Sequence, residues 1–159
     1  MVSVNSNSQE KTICIRTHAM TTFQTSREIA ATPDAVFAAI AAPERLAKWW
    51  GPKGFGNSFE VCDFRPGGAW RFTMHGPDGT DYPNQSVFEE IEEARKVVIQ
   101  HVCAPLFRLS IELQPSATGT RVQWTQVFDD PALAAAVRHI VEPANEQNLD
   151  RLAAEVAAA

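Results

Sequence analysis

The chain has 159 residues, a net charge of −5 and 45% hydrophobic residues, of which 23 are alanine and 48 are larger. That supplies one core for one domain and not two. Fourteen basic residues spread along an acidic chain lack the clustered cationic face that a phosphate backbone requires. No apolar run approaches the ~20 residues of a bilayer span. Nucleic acid and membrane are therefore not the expected partners.

Residues 1–20 are polar and aperiodic, without the basic start and apolar stretch of a secretory signal. They read as a disordered tail, and the domain is expected over 21–159. Cys14, Cys62 and Cys103 form no CxxC pair and no cysteine–histidine cluster, so a disulfide scaffold and a structural zinc are not expected. Reduced thiols in a cytoplasm fit this pattern.

Strand alternation opens at 23–30 (FQTSREIA). Thr32 then caps a helix with Pro33 in its first turn, and Val36, Phe37 and Ile40 fall at helical spacing. Pro43 starts a second short helix, PERLAKWW, which Gly51-Pro52 stops. The glycine-rich loop 51–57 is the candidate for a mobile gate.

Six strands follow at 58–65, 69–75, 82–92, 96–102, 106–114 and 120–128, separated by turn signals such as Pro66-Gly67-Gly68 and Gly76-Pro77-Asp78-Gly79. Such short connections require antiparallel pairing. A closing helix starts at Asp129 or Asp130 and carries Leu133, Val137, Ile140, Val141, Ala144, Leu149, Leu152 and Val156 as its apolar stripe. Pro143 is expected to kink or break it near Val141–Glu142. A seven-stranded sheet with an apolar face must curl around that helix. The fold class is thus α+β, a curved antiparallel sheet wrapped on a long C-terminal helix with two short helices after strand 1.

Three segments carry a family signature: SREIAATPDAVFAAIAAPERLAKWWGP, FEVCDFRPGGAWRFTMHGPDG and EPANEQNLDRLAAEV. From Thr22 to Val156 the chain resembles the family named after the activator of the heat-shock-protein-90 ATPase. That family belongs to the START and birch-pollen-allergen-like (SRPBCC) superfamily. The resemblance implies a helix-grip fold of the bacterial single-domain type, with a cavity between the sheet and the last helix. It leaves function open, because the superfamily holds lipid carriers, cyclases, receptors and the cochaperone domain itself. The cochaperone's additional N-terminal domain has no counterpart in the residues before Thr22, which argues against a chaperone partner.

No metal or nucleotide motif is present: His18, His75, His101 and His139 are unpaired at helical spacing, and HExxH, GxGxxG, a phosphate loop and GxSxG are all absent. No cofactor is expected. Polar residues on apolar strand faces remain. The inward set on the last strand is Val122, Trp124, Gln126 and Phe128; on 69–75 it is Trp70, Phe72 and Met74; on 106–114 it is Phe107, Leu109, Ile111 and Leu113. One face of 82–88 carries Tyr82, Asn84, Ser86 and Phe88. Strand 96–102 is ambiguous between Val97, Ile99, His101 and Val98, Gln100, Val102.

The expected ligand-binding set is Trp49, Trp50, Phe72, Met74, Asn84, Phe88, His101, Trp124, Gln126, Asn148 and Leu149, around a small hydrophobic or aromatic molecule. One tryptophan of the Trp49–Trp50 pair is expected in the core and the other on the pocket wall. Asn145 and Asn148 line the pocket from the helix, while Arg138, Glu142, Glu146, Asp150 and Arg151 form a solvated ion-paired face. His101 is also the candidate general base of a cyclase or hydrolase, and buried Gln or His satisfied by backbone is the plainer alternative. A cochaperone-like interaction module is the third reading. A homodimer is compatible with the chain, though no sequence feature specifies one.

Overall fold

The structure, a computed structural model, describes residues 21–159, so the expected tail, Cys14 and His18 lie outside the described residues. Strand β1 (Thr22–Ile29) leads into helices α1 (Pro33–Ala41) and α2 (Pro43–Trp49). Strands β2 (Gly56–Cys62), β3 (Ala69–His75), β4 (Asp81–Glu92), β5 (Lys96–His101), β6 (Phe107–Ser116) and β7 (Gly119–Phe128) follow, and helix α3 (Pro131–Ala158) closes the chain. All pairs are antiparallel, in the order β1-β7-β6-β5-β4-β3-β2. Strands β2 to β7 are a meander, because each turn is too short to allow anything else. The α1–α2 connection therefore carries the chain from one edge of the sheet to the other.

The helix starts follow their local chemistry. Thr32 accepts from the Ala35 amide at 3.2 Å, and Asp130 accepts from the Ala132 amide at 2.9 Å. Pro43 has no N–H, so the Ala39 carbonyl cannot receive the usual i+4 bond. The Trp49 indole N–H donates to that carbonyl instead, at 2.9 Å, and ties α2 back onto α1. Helix α3 continues through Pro143, so of the expected kink or break the break does not occur. Tertiary packing holds the turn that proline weakens, since Asn145, Asn148 and Arg151 just beyond it are all bonded to other elements.

Period-two burial places the inward faces as expected on β3, β6 and β7, with Met74 and Phe107 partly buried at the margin. On β5 it is Val97, Ile99 and His101 that face the core; Val98 is buried as well, which explains why the pattern had no single reading. Two register shifts, at Phe59/Val61 and Phe88/Glu90, bend the β2 and β4 strands. Tyr82 departs from the expected face: it is exposed and its ring meets Phe55 at 5.9 Å.

The core divides in two. The larger cluster joins α1, α2, the second half of α3 and the concave sheet face. The smaller one gathers Phe23, Phe128 and Ala134 with Leu133, Val137 and Val141 under the first half of α3. Beta edge β1 is shielded by charge: Arg27 pairs with Glu146 and Asp150 of α3, and Thr25 bonds Glu146.

Candidate functional site

All four tryptophans meet in one place. Trp50 lies 4.9 Å from Trp70, 5.7 Å from Trp49 and 6.0 Å from Trp124, measured between ring centroids. Trp70 stacks on Phe72 at 4.2 Å and on Phe88 at 5.3 Å. Leu149 of α3 is fully buried in the same cluster, and Met74 packs at its edge. Seven of the eleven expected residues are thus brought together. They fill the region between sheet and helix with rings in edge and stacked contacts that reinforce simple area burial.

Both members of the tryptophan pair are buried in the core cluster, Trp49 at 1% and Trp50 at 7% exposure, and the Trp49 indole N–H is satisfied by the Ala39 carbonyl. Two other indoles are not satisfied. The N–H groups of Trp70 and Trp124 are buried and meet no acceptor among the described residues. A buried donor without a partner costs about 1–3 kcal/mol, and two in one aromatic cluster are a feature that simple packing does not require.

Loop 51–55 is clamped. Arg151 donates from Nη1 to the carbonyls of Trp50, Gly51 and Pro52 at 2.9–3.0 Å, and from Nη2 to those of Lys48 and Phe55 at 2.7 and 2.8 Å. Asn148 adds two bonds, accepting from the Gly51 amide at 3.2 Å and donating to the Trp49 carbonyl at 3.0 Å. The polar residue that interrupted the apolar stripe of α3 is therefore a loop anchor. Arg151 is corrected from a solvated ion-paired side chain to the hub of the loop, and burial lowers its pKa from the ordinary guanidinium value. The segment expected as a mobile gate is held by five side-chain bonds from α3, the fifth being the Lys53 amide donating to Gln147 at 3.1 Å. Gly51 permits this approach, with φ at +95° and the Met74 methyl where a Cβ would sit, 2.7 Å away.

Remaining polar candidates lie apart from the tryptophans. Gln126 accepts from Asn145 at 3.1 Å, linking β7 to α3. His101 is held on three sides: Nδ1–H donates to the Pro105 carbonyl at 2.7 Å, Nε2 faces Asn84 Oδ1 at 2.7 Å, and the ring stacks on Phe107 at 4.5 Å. Burial draws its pKa below the ordinary histidine value, while hydrogen bonds to the Pro105 and Cys103 backbones oppose that. Arg138 pairs with Glu142, as expected for the exposed helix face.

An open groove of about 880 Å³ lies elsewhere, between β1 and the first half of α3, where Phe23, Thr25, Arg138, Glu142 and Glu146 form part of its wall. None of the eleven expected residues lines it, although Asn145, the partner of Gln126, does. Sequence reasoning missed Arg151 because its five acceptors are backbone carbonyls 96–103 positions away. No side-chain pattern marks such a partner.

This curved sheet gripping a long helix, with an aromatic cluster between them, defines a helix-grip protein. A family model described as activator of Hsp90 ATPase homolog 1-like protein matches residues 30–157, and the chain belongs to that family. A protein of Nitrosomonas europaea is 25% identical, with a TM-score of 0.80 over 88% of this chain and 96% of its own. The solution structure of an Arthrobacter aurescens protein gives 21% identity and a TM-score of 0.80, covering 89% and 88%. An AHSA1-like protein of Aeromonas hydrophila has 20% identity and a TM-score of 0.67 over 86% and 92%. The last two likenesses carry the fold alone. No curated protein matches the chain. Among the described residues, no helix is long and apolar enough to cross a membrane.

Proposed function

We propose that this protein binds a small hydrophobic or aromatic molecule bearing a hydrogen-bond acceptor, between the sheet and the second half of α3. The observation that carries this reading is the pair of acceptorless indole donors, Trp70 and Trp124, inside an otherwise apolar cluster. An acceptor oxygen of the ligand would relieve one of these donors, and aromatic walls would bury its carbon frame at about 25 cal/mol per Å² before entropy losses. Trp50 contacts both the Trp70 and the Trp124 rings and is the most exposed of the four tryptophans, so it is the side chain that such a molecule would displace. The clamp from Asn148 and Arg151 then sets the cost of admission.

The reading is tested with acetophenone and ethylbenzene, which share size and ring and differ in the carbonyl. Quenching of tryptophan fluorescence and the thermal shift are the readouts, since every tryptophan of the chain lines the site. Acetophenone is expected to bind at least about tenfold more tightly, the equivalent of ~1.4 kcal/mol for a relieved donor. The Trp70→Phe, Trp124→Phe double variant should remove that preference. Equal binding of the two probes to the native protein, or saturable binding of neither, overturns the reading.

A further inference from the structure

A second chemical grouping surrounds His101, which stands two strands across from Trp70 in the sheet register. Cys103 Sγ lies 3.5 Å from His101 Nε2, and its thiol is partly accessible on the loop after β5. His101 is 3% exposed and its ring is immobilised by Phe107, Pro105 and Asn84.

The hydrogen-bond arithmetic around this ring is unusual. Its Nδ1 faces a carbonyl oxygen and must carry a proton. Its Nε2 faces another acceptor, Asn84 Oδ1, at 2.7 Å. Turning the Asn84 amide over does not resolve the conflict, because its Nδ2 already donates to the Tyr82 carbonyl at 2.7 Å. A proton on Nε2 satisfies every partner at once. The nearest source of that proton is the Cys103 thiol. Burial opposes a lone imidazolium at this position, but transfer from the thiol creates a thiolate beside it and leaves the pair neutral overall. Among the described residues, neither group bonds to a charged side chain, so each is the other's counter-charge.

Besides His101, the sulfur meets the Gln85 carbonyl at 3.9 Å, and its loop is otherwise built of apolar residues. In the chain, Val102 precedes Cys103 and Leu106 follows it after Ala104 and Pro105; each is 45% exposed, and they rank among the exposed large apolar side chains of the described residues. A nucleophile on a loop that exposes two aliphatic side chains favours an apolar reaction partner.

We propose that Cys103 and His101 form a reactive thiol–imidazole pair that covalently captures apolar α,β-unsaturated carbonyl compounds. The sulfur forms a C–S bond to the β-carbon while the C=C π pair shifts to the enolate. The Nε2 proton of His101 then passes to the α-carbon. Nothing leaves, and no oxidant or reductant is consumed. Asn84 is the positioning residue, since it touches the imidazole and not the electrophile.

The contrast with the other described thiol is an internal control. Cys62 is pushed up to about 11 by burial and by the neighbouring Asp63 carboxylate, so it stays protonated and inert under the same conditions. The full chain is treated with trans-2-hexenal or with acrylamide, and adducts at each cysteine are followed by peptide-resolved mass spectrometry from about pH 6 to about pH 9, with glutathione as the free-thiol reference. Relative to glutathione, Cys103 is expected to react at least ~10-fold faster at the low-pH end of this range, with the advantage shrinking toward the high end. It should also prefer hexenal over acrylamide by at least ~10-fold relative to glutathione, an order of magnitude fitting a few buried methylenes. His101→Phe should return the pH profile to that of glutathione, and Val102→Ser with Leu106→Ser should erase the preference for hexenal. A native-protein profile that tracks glutathione overturns the pair, and this result needs no variant to fold. Absence of the hexenal preference overturns the assignment of apolar electrophiles.

Discussion

Replacement of Arg151 by alanine is the sharpest test of how the rim of the aromatic cluster is held. The side chain gives five hydrogen bonds to backbone carbonyls of residues 48–55 and has no carboxylate partner among the described residues. Bonds to a charged group contribute about 1.5–3 kcal/mol each, yet the sum is not reached, because exposed carbonyls such as that of Lys48 recover water. A loss of about 3 kcal/mol is expected, which lowers Tm by roughly 6–12 °C for a chain of this size. Arg151→Lys keeps the charge but not the fork, and should lose about half as much. Arg65, whose side chain is 73% exposed and paired only with Asp63, is the reference: Arg65→Ala should cost less than about 0.5 kcal/mol. Calorimetry and urea unfolding of the three variants give the comparison. If Arg151→Ala and Arg65→Ala lose the same stability, the clamp is not an energetic element of the fold.

Trp49→Phe should destabilise by about 2–4 kcal/mol, since it orphans the Ala39 carbonyl that Pro43 cannot serve; Trp70→Phe, which removes an acceptorless donor, should cost at least ~1 kcal/mol less in the same denaturation assay. A Cβ on Gly68 would fall 1.9 Å from the Asp63 carbonyl oxygen, so Gly68→Ala should lose more than about 2 kcal/mol, whereas Gly67→Ala, with open space and φ at +81°, should lose only the ~1–2 kcal/mol of a left-handed alanine. Cys62 yields a pH prediction. Its folded pKa is raised to about 11, so its contribution to stability is complete below the unfolded thiol value of ~8.5 and is lost as pH rises through about 11. Thiolate absorbance should place the ionisation there, and Cys62→Ser should flatten the fall of Tm with alkali.

Much of the fold could be read from the chain because its signals are local. Thr32 with Pro33, Asp130 with Pro131 and the proline–glycine turns act within a few residues, and alternation on β3, β6 and β7 follows from a sheet with one apolar face. Strand β5 resisted that logic, since Val98 is buried opposite Val97 and Ile99 and both faces look alike. For the candidate site, residue types were legible and roles were not. Seven of the eleven expected residues do share one cluster, and Asn148 was marked by its place in an apolar stripe.

The 48 larger hydrophobic residues of this acidic chain limited it to one domain's worth of core, which the structure divides into two clusters, and periodicity determined which strand faces supply it. Only the tertiary structure decided that the tryptophans fill the space between sheet and helix, that Arg151 ties down the loop beside them, and that Cys103 stands next to His101. The physical reason is that propensity and alternation act along the chain. Hydrogen bonds to distant backbone carbonyls and donors left without acceptors come into being only when the elements meet.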